Sequence, residues 1–309
     1  MAHSDSDSST MRPNPKQLVD FFSRSLTSFH SSPDVFRILC TLPHAGAEPV
    51  SRPASGVRRL VVLDSSFNPP TRAHAEMARS ALKWASSSSS YSEGASFSSS
   101  SHSDGTRLML LLSVNNADKA PKPASFPVRL GMMEGFGRDL LGSLGDVGTE
   151  IDLAVTTMPY FHDKARVISE SWMYSSSSEG REPEQVFLAG FDTVIRIFNP
   201  KYYGDGGMRA ALGPFFERAR LRVTMRTDDE WGGEEEQREY VRGLGEGRLD
   251  DVGGDVAWAG RVDLVEGRGD GVSSSKVRDM VKRGEKEGLE RLVDGEVMGW
   301  IEGEGLYRE

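Results

Sequence analysis

The sequence predicts an α/β protein built on a doubly wound parallel sheet with helices on both faces. Two observations carry that expectation. Short apolar runs such as Leu60-Val61-Val62-Leu63 have the length and character of strands buried on both sides. Between them lie longer segments whose apolar residues recur at helical spacing, and strands alternating with helices form parallel sheets. At 309 residues the chain is long enough for one large domain with additions.

Taken in order, residues 1–13 are polar and read as a disordered tail. From Asn14 to His30 the positions Leu18, Phe21, Phe22, Leu26 and Phe29 form one helical face. Pro33 sits where a second helix can start, with Asp34 to Leu42 continuing it. Residues 1–55 are therefore expected to be a tail and a helical extension, and residues 56–309 the α/β domain. The run 60–63 is its first strand and is followed by a helix over 72–85. Serine-rich sequence over 86–105, broken by Tyr91 and Phe97, reads as a flexible insertion, because it cannot bury enough apolar surface to order itself. Further strands are expected at 108–114, 151–155, 186–189, 221–225 and 262–265. Helices are expected at 126–136, 164–174, 193–198, 274–283 and 289–301, with a second polar insertion at 175–184.

Composition narrows the function. Apolar residues make up 37% of the chain, part of the deficit being serine-rich sequence, and the formal net charge is −9. An acidic surface disfavours non-specific binding to nucleic acid or anionic membrane, while leaving room for a local basic pocket. Cys40 is the single cysteine, so there is neither an internal disulfide nor a cysteine-based metal site. No apolar run reaches the roughly 20 residues of a membrane span. Residues 1–10 carry Asp5 and Asp7 and lack the features of a leader, so the expected location is the cytoplasm, with the nucleus as a second site.

In a doubly wound sheet ligands lie beyond the carboxyl ends of the strands, and three segments fall there. Ser65 to His74 leaves the first strand and enters a helix, whose N-terminus favours anions. Thr71 and His74 are three apart and share a face, so a hydroxyl and an imidazole can meet a triphosphate. A proline-rich turn followed by a surface histidine would read the same way. Gly271 to Arg278 opens a late helix with Ser273, Ser274, Ser275, Lys276 and Arg278, which either bind phosphate or simply cap the helix. Gly190-Phe191-Asp192 ends the strand at 186–189. Glycine permits close approach and Asp192 can bind ribose hydroxyls, although a plain turn and an N-cap would explain both.

The order of these segments brings a resemblance into view. Ser66-Phe67-Asn68-Pro69-Pro70-Thr71-x-x-His74 resembles the Ser-Phe-Asn-Pro…(His/Thr)-x-Gly-His signature of nucleotidyltransferases. Val272-Ser273-Ser274-Ser275-x-x-Arg278 resembles their late Ile-Ser-Ser-Thr-x-x-Arg signature. With Gly190-x-Asp192 added, the chain from about 58 to 302 is similar to nicotinamide-nucleotide adenylyltransferases, in a fungal branch of that family. The resemblance implies a Rossmann-like fold, with ATP and nicotinamide mononucleotide as substrates and Mg²⁺ carried mainly on the ATP phosphates. It implies backbone contacts to phosphate from Ser66 and Phe67, with Thr71 beside them and His74 stabilising the transition state. Gly190 and Asp192 would hold nucleotide sugar. Ser274, Ser275, Lys276 and Arg278 would serve the β- and γ-phosphates. Lys119 resembles a phosphate-contacting lysine of the family, and Arg226 stands where an arginine is frequent. Tyr160 or Phe161 would stack on the nicotinamide, although core packing is the stronger single explanation for either aromatic.

Departures from the signatures matter. Ser65 replaces a glycine, Thr71 holds the first histidine position, Ala73 replaces the motif glycine and Ser275 replaces a threonine. They leave two other readings open: a relative that uses another acceptor or hydrolyses ATP, and a non-catalytic nucleotide-binding adaptor.

Overall fold

A computed structural model describes residues 14–43, 50, 52–53, 56–87, 105–114, 123–145, 148–171, 173–174, 182–226, 232–267 and 271–309. The tail 1–13, Tyr91 and Phe97 with most of the 86–105 insertion, Lys119, and residues 175–181 of the second insertion lie outside the described residues.

Among the described residues the sheet has seven strands, in the order β1-β4-β3-β2-β5-β6-β7. These are β1 (Phe36–Leu42), β2 (Arg59–Asp64), β3 (Thr106–Ser113), β4 (Ile151–Thr156), β5 (Glu184–Gly190), β6 (Ala219–Thr224) and β7 (Val262–Val265). All pairings from β4 through β7 are parallel. The order runs outward both ways from β2 and β5, a Rossmann-like arrangement with its switch point between those two strands. The helices are α1 (Pro15–His30), α2 (Arg72–Ser87), α3 (Phe126–Leu144), α4 (Phe161–Ser169), α5 (Phe191–Ile197), α6 (Gly207–Arg218), α7 (Glu234–Gly245), α8 (Ser274–Lys282) and α9 (Gly295–Gly303). Helices α1, α2, α3, α8 and α9 cover one face of the sheet. Helices α4 to α7 cover the other. Among the described residues no helix is long and apolar enough to cross a membrane.

The expected helix at 34–42 is instead strand β1, paired antiparallel with β4. The segment Phe36-Arg37-Ile38-Leu39-Cys40-Thr41-Leu42 satisfies either period over so short a span, and tertiary pairing decides between them. Its register is pinned by a buried polar cluster. Thr41 lies opposite Asp152 and its hydroxyl donates to Asp152 Oδ1 at 2.6 Å. Arg107 of β3 grips both carboxylate oxygens, at 2.6 and 2.8 Å, and the Tyr174 hydroxyl donates to Oδ2 at 2.6 Å. A buried carboxylate with four donors is a satisfied one. Residues 14–42 thus belong to the same core as the rest: α1, started by an Asn14–Gln17 capping box, buries Leu18, Phe22, Leu26 and Phe29 and packs on α3.

Other boundaries moved as well. Helix α4 begins at Phe161 and ends at Ser169 rather than spanning 164–174. The second insertion ends before Glu184, which opens β5. Helices α6 and α7 were not anticipated. The first contains Pro214, and the second is a strongly charged helix that buries only Gln237, Gly243 and Leu244. Between α3 and α9 the approach is close: a methyl on Gly131 would meet the Trp300 ring at 2.5 Å.

Candidate active site

The loop leaving β2 is where the first motif lies. Phe67 takes a left-handed backbone (φ 45°) with its ring fully buried. That conformation costs a non-glycine residue on the order of 1 kcal/mol and persists because the surroundings fix it. Those surroundings come from far along the chain. The Tyr307 hydroxyl donates to Asn68 Oδ1 at 2.9 Å, inside the core. The Ser274 hydroxyl donates to the Pro69 carbonyl at 2.7 Å. Arg278 Nη1 donates to the Asn68 carbonyl at 2.8 Å, and its Nη2 to Ser275 Oγ at 2.9 Å. Two sequence motifs more than 200 positions apart are therefore one site.

His74 sits in the first turn of α2. The Thr71 backbone N–H donates to His74 Nδ1 at 3.0 Å, and Thr71 Oγ1 lies 2.8 Å from the same nitrogen. An Nδ1 that accepts an N–H carries no proton, so the neutral ring bears its hydrogen on Nε2, which meets Ser65 Oγ at 2.9 Å. Burial lowers the His74 pKa to about 4. The ring is thus a neutral, oriented N–H donor at pH 7. Buried Thr71 orients it, which gives the residue at the first motif position a structural task that sequence alone did not specify. Ser65 places a hydroxyl on the nitrogen that faces the loop.

Helix α8 adds its N-terminus. Ser273 is the N-cap, accepting from the Lys276 N–H at 3.2 Å, while Ser275 and Lys276 are exposed. Ser274 is already engaged with Pro69, so its hydroxyl ties the two motifs together. At the neighbouring strand, Asp192 follows the end of β5 and folds back over Gly190, where an added methyl would meet Asp192 Oδ1 at 2.6 Å. Asp192 lies 3.7 Å from both Arg226 and Arg196. Arg226 is fixed through its backbone, which exchanges hydrogen bonds with the buried side chain of Gln237.

The expected aromatics separate. Phe161 packs against Phe187 of the core, 5.3 Å between ring centroids. Tyr160, the residue before α4, is 42% exposed and stacks on His162 with rings nearly parallel. Tyr202, tilted against Tyr160 at 6.4 Å, joins it, and nothing in the sequence singled it out. A second unanticipated residue is Arg129 of α3. It is buried, donates to the Ala124 carbonyl at 2.9 Å and approaches the Ser66 carbonyl at 3.4 Å. Burial lowers its pKa; Tyr307 works against that shift and the positive charge of Arg278 adds to it. It lies in an otherwise apolar helical face, so no periodicity exposes it.

A strained loop, a helix-start imidazole and a Ser/Lys/Arg helix N-terminus converging at the carboxyl edge of a doubly wound sheet define an α/β nucleotidyltransferase. Comparison with known proteins narrows the class. Over 252 residues the chain is 31% identical to a Schizosaccharomyces pombe protein provisionally named a nicotinamide mononucleotide adenylyltransferase, the match covering 81% of this chain and 86% of that one. The chain belongs to the nicotinamide mononucleotide adenylyltransferase family. No family model matches it. Among solved structures it is similar to the Plasmodium falciparum nicotinic acid mononucleotide adenylyltransferase complexed with APC, at 13% identity and a TM-score of 0.47, covering 81% of this chain and 97% of that one. The same enzyme complexed with NaAD gives 14% identity and a TM-score of 0.43, with coverage of 81% and 97%.

Proposed function

We propose that this nucleotidyltransferase transfers the adenylyl group of ATP to nicotinamide mononucleotide, giving NAD and pyrophosphate. The observation that carries the reading is the convergence of His74, the 65–71 loop and the start of α8 on one edge of the sheet, in a chain of this family. In the proposed reaction an oxygen of the mononucleotide 5′-phosphate attacks the α-phosphorus of ATP. The bond to pyrophosphate breaks on the opposite side, and its electrons leave with the pyrophosphate. The attacking phosphate is already ionised at pH 7, so no protein base or nucleophile is required. Positioning and charge stabilisation supply the acceleration.

Each residue then has a task. His74 donates its Nε2 hydrogen to a phosphate oxygen as negative charge builds on the departing pyrophosphate. Arg278, Ser275 and Lys276 face the β- and γ-phosphates, and Ser66 and Phe67 offer backbone N–H groups. Asp192, over Gly190, takes ribose hydroxyls beside Arg226. Tyr160, with Tyr202, offers an exposed ring face to the nicotinamide. Adenylyltransferases of this kind use a divalent ion with ATP. In the proposed complex Mg²⁺ would be carried on the triphosphate oxygens and water, where it would offset phosphate charge.

One assay tests the reading. With ATP, Mg²⁺ and either nicotinamide or nicotinate mononucleotide, dinucleotide and pyrophosphate should form in equal amounts, with the nicotinamide form preferred. Inorganic phosphate without dinucleotide would overturn it and make the chain an ATP hydrolase.

A further inference from the structure

Across the sheet from His74 lies an ion pair that none of the motifs includes. Lys164 Nζ donates to Asp64 Oδ2 at 2.5 Å, with the two side chains only 5% and 8% exposed. Asp64 is the last residue of β2, immediately before Ser65, at the switch point between β2 and β5. Lys164 comes from the first turn of α4, where its backbone N–H donates to the carbonyl of the N-cap residue Tyr160 at 3.0 Å. Its ammonium also lies 5.6 Å from the centre of the Phe161 ring.

The pair is a poor structural device. An ammonium has three donors, and among the described residues Asp64 is its one hydrogen-bond acceptor. Burial raises the Asp64 pKa, with Lys164 offsetting that only in part. Buried ion pairs of this kind add little to stability compared with apolar side chains of the same volume. What the pair does provide is a buried cation with donors to spare, held at the carboxyl end of β2, the edge of the sheet where ligands of this fold lie.

Its side of the sheet says which ligand. Helices α2 and α8, which bring His74 and Arg278, belong to one face; α4 belongs to the other. In-line transfer requires the incoming and departing oxygens to lie on opposite sides of the α-phosphorus. If the first face grips the pyrophosphate, the acceptor phosphate arrives from the second, between the Tyr160 ring and the end of β2. We propose that Lys164 binds the 5′-phosphate of the acceptor mononucleotide, with Asp64 holding the ammonium in place. The inference rests on the adenylyltransferase reading for the identity of its ligand. In the bound complex the ammonium keeps Asp64 and gives its other hydrogens to phosphate oxygens. The Asp64 carboxylate, close to the same anion, weakens the binding it orients.

Two variants test this, with opposite expected signs. K164M should weaken nicotinamide mononucleotide binding roughly ten- to a hundredfold by calorimetric titration, the effect of losing a charge-assisted contact. Its affinity for nicotinamide riboside, which lacks the phosphate, and for ATP should stay within about twofold. D64N retains the cation and removes the opposing charge, so mononucleotide affinity should hold or rise. A merely structural pair would give losses in both variants and for riboside and mononucleotide alike. That pattern, an equal loss of ATP affinity in K164M, or unchanged mononucleotide affinity would each overturn the assignment. If the parent forms no dinucleotide yet binds a 5′-mononucleotide through Lys164, the adenylyltransferase reading fails and the phosphate site stands. If the parent makes dinucleotide and K164M binds mononucleotide normally, the reverse holds. A parent that binds no mononucleotide at all would sink both.

Discussion

Replacing His74 with alanine separates three effects, one from the proposed mechanism and two from the local geometry of the ring. In the proposed mechanism the Nε2 hydrogen is the donor offered to the phosphates, and losing one preorganised donor of this kind lowers kcat by about 10²- to 10³-fold. Because its task belongs to the transition state, ATP affinity should fall far less than the rate. The Nδ1 side is structural: it takes the Thr71 N–H at the start of α2, and losing such a cap costs about 1 kcal/mol. The third effect is pH-dependent. With its pKa lowered to about 4 in the folded chain against an ordinary 6.5, the ring binds fewer protons folded than unfolded in that window. The parent therefore loses stability as pH falls from 6.5 towards 4, by at most about 3 kcal/mol. The alanine variant has no such loss. It should melt below the parent at pH 7.5 and approach or exceed it near pH 4.5. Steady-state dinucleotide synthesis, ATP titration and melting curves across pH read the three separately. A kcat within about twofold of the parent would refute the donor assignment. ATP affinity falling in step with kcat would make His74 a ground-state contact instead.

Three other substitutions probe neighbouring parts. Ser65→Gly frees the Nε2 hydrogen from the serine hydroxyl at 2.9 Å, so kcat/KM for ATP should rise about threefold to tenfold, as removing one competing neutral hydrogen bond allows; a fall would show that the hydroxyl serves the reaction. Arg278→Ala should raise the Kd for ATP by about tenfold or more while leaving mononucleotide binding nearly unchanged, and parallel titrations of the two ligands check this. Arg107→Met leaves the Asp152 carboxylate buried without its cation, at a cost of about 3–5 kcal/mol; denaturant unfolding measures it, while activity per folded molecule stays at the parent level.

Much of the fold was legible because its strands are short apolar runs between helical periods, and because the first motif begins where β2 ends. The two motifs that meet at the candidate site were legible as pairs of residue types at helix starts. What escaped was tertiary in origin. Strand β1 has a pattern that fits helix or strand, and only the Thr41–Asp152 register makes it a strand. The charged α7 carries too few apolar positions to show a period. At the site, Arg129 and Lys164 were missed for one reason: a buried cation in an apolar helical face carries no spacing signal, and its meaning comes from the partner that the fold brings to it. Tyr160 and Phe161 are adjacent and alike in sequence, and only the packing of Phe161 on Phe187 tells the exposed ring from the core one.

The loop at residues 65–71 is held by contacts spanning 205, 210 and 239 positions, from Ser274, Arg278 and Tyr307. A ribosome delivers the chain from its N-terminus. β2 and α2 therefore emerge long before the residues that fix the turn between them. A nascent chain halted anywhere before Arg278 would lack both the clamp on Asn68 and the cationic helix start. Nucleotide binding should consequently switch on late and abruptly as the chain lengthens, rather than growing with each added strand. Stalled chains of increasing length, probed with a fluorescent ATP analogue, would show when that step occurs. Prematurely terminated fragments should be unable to sequester ATP, however much of the sheet they contain.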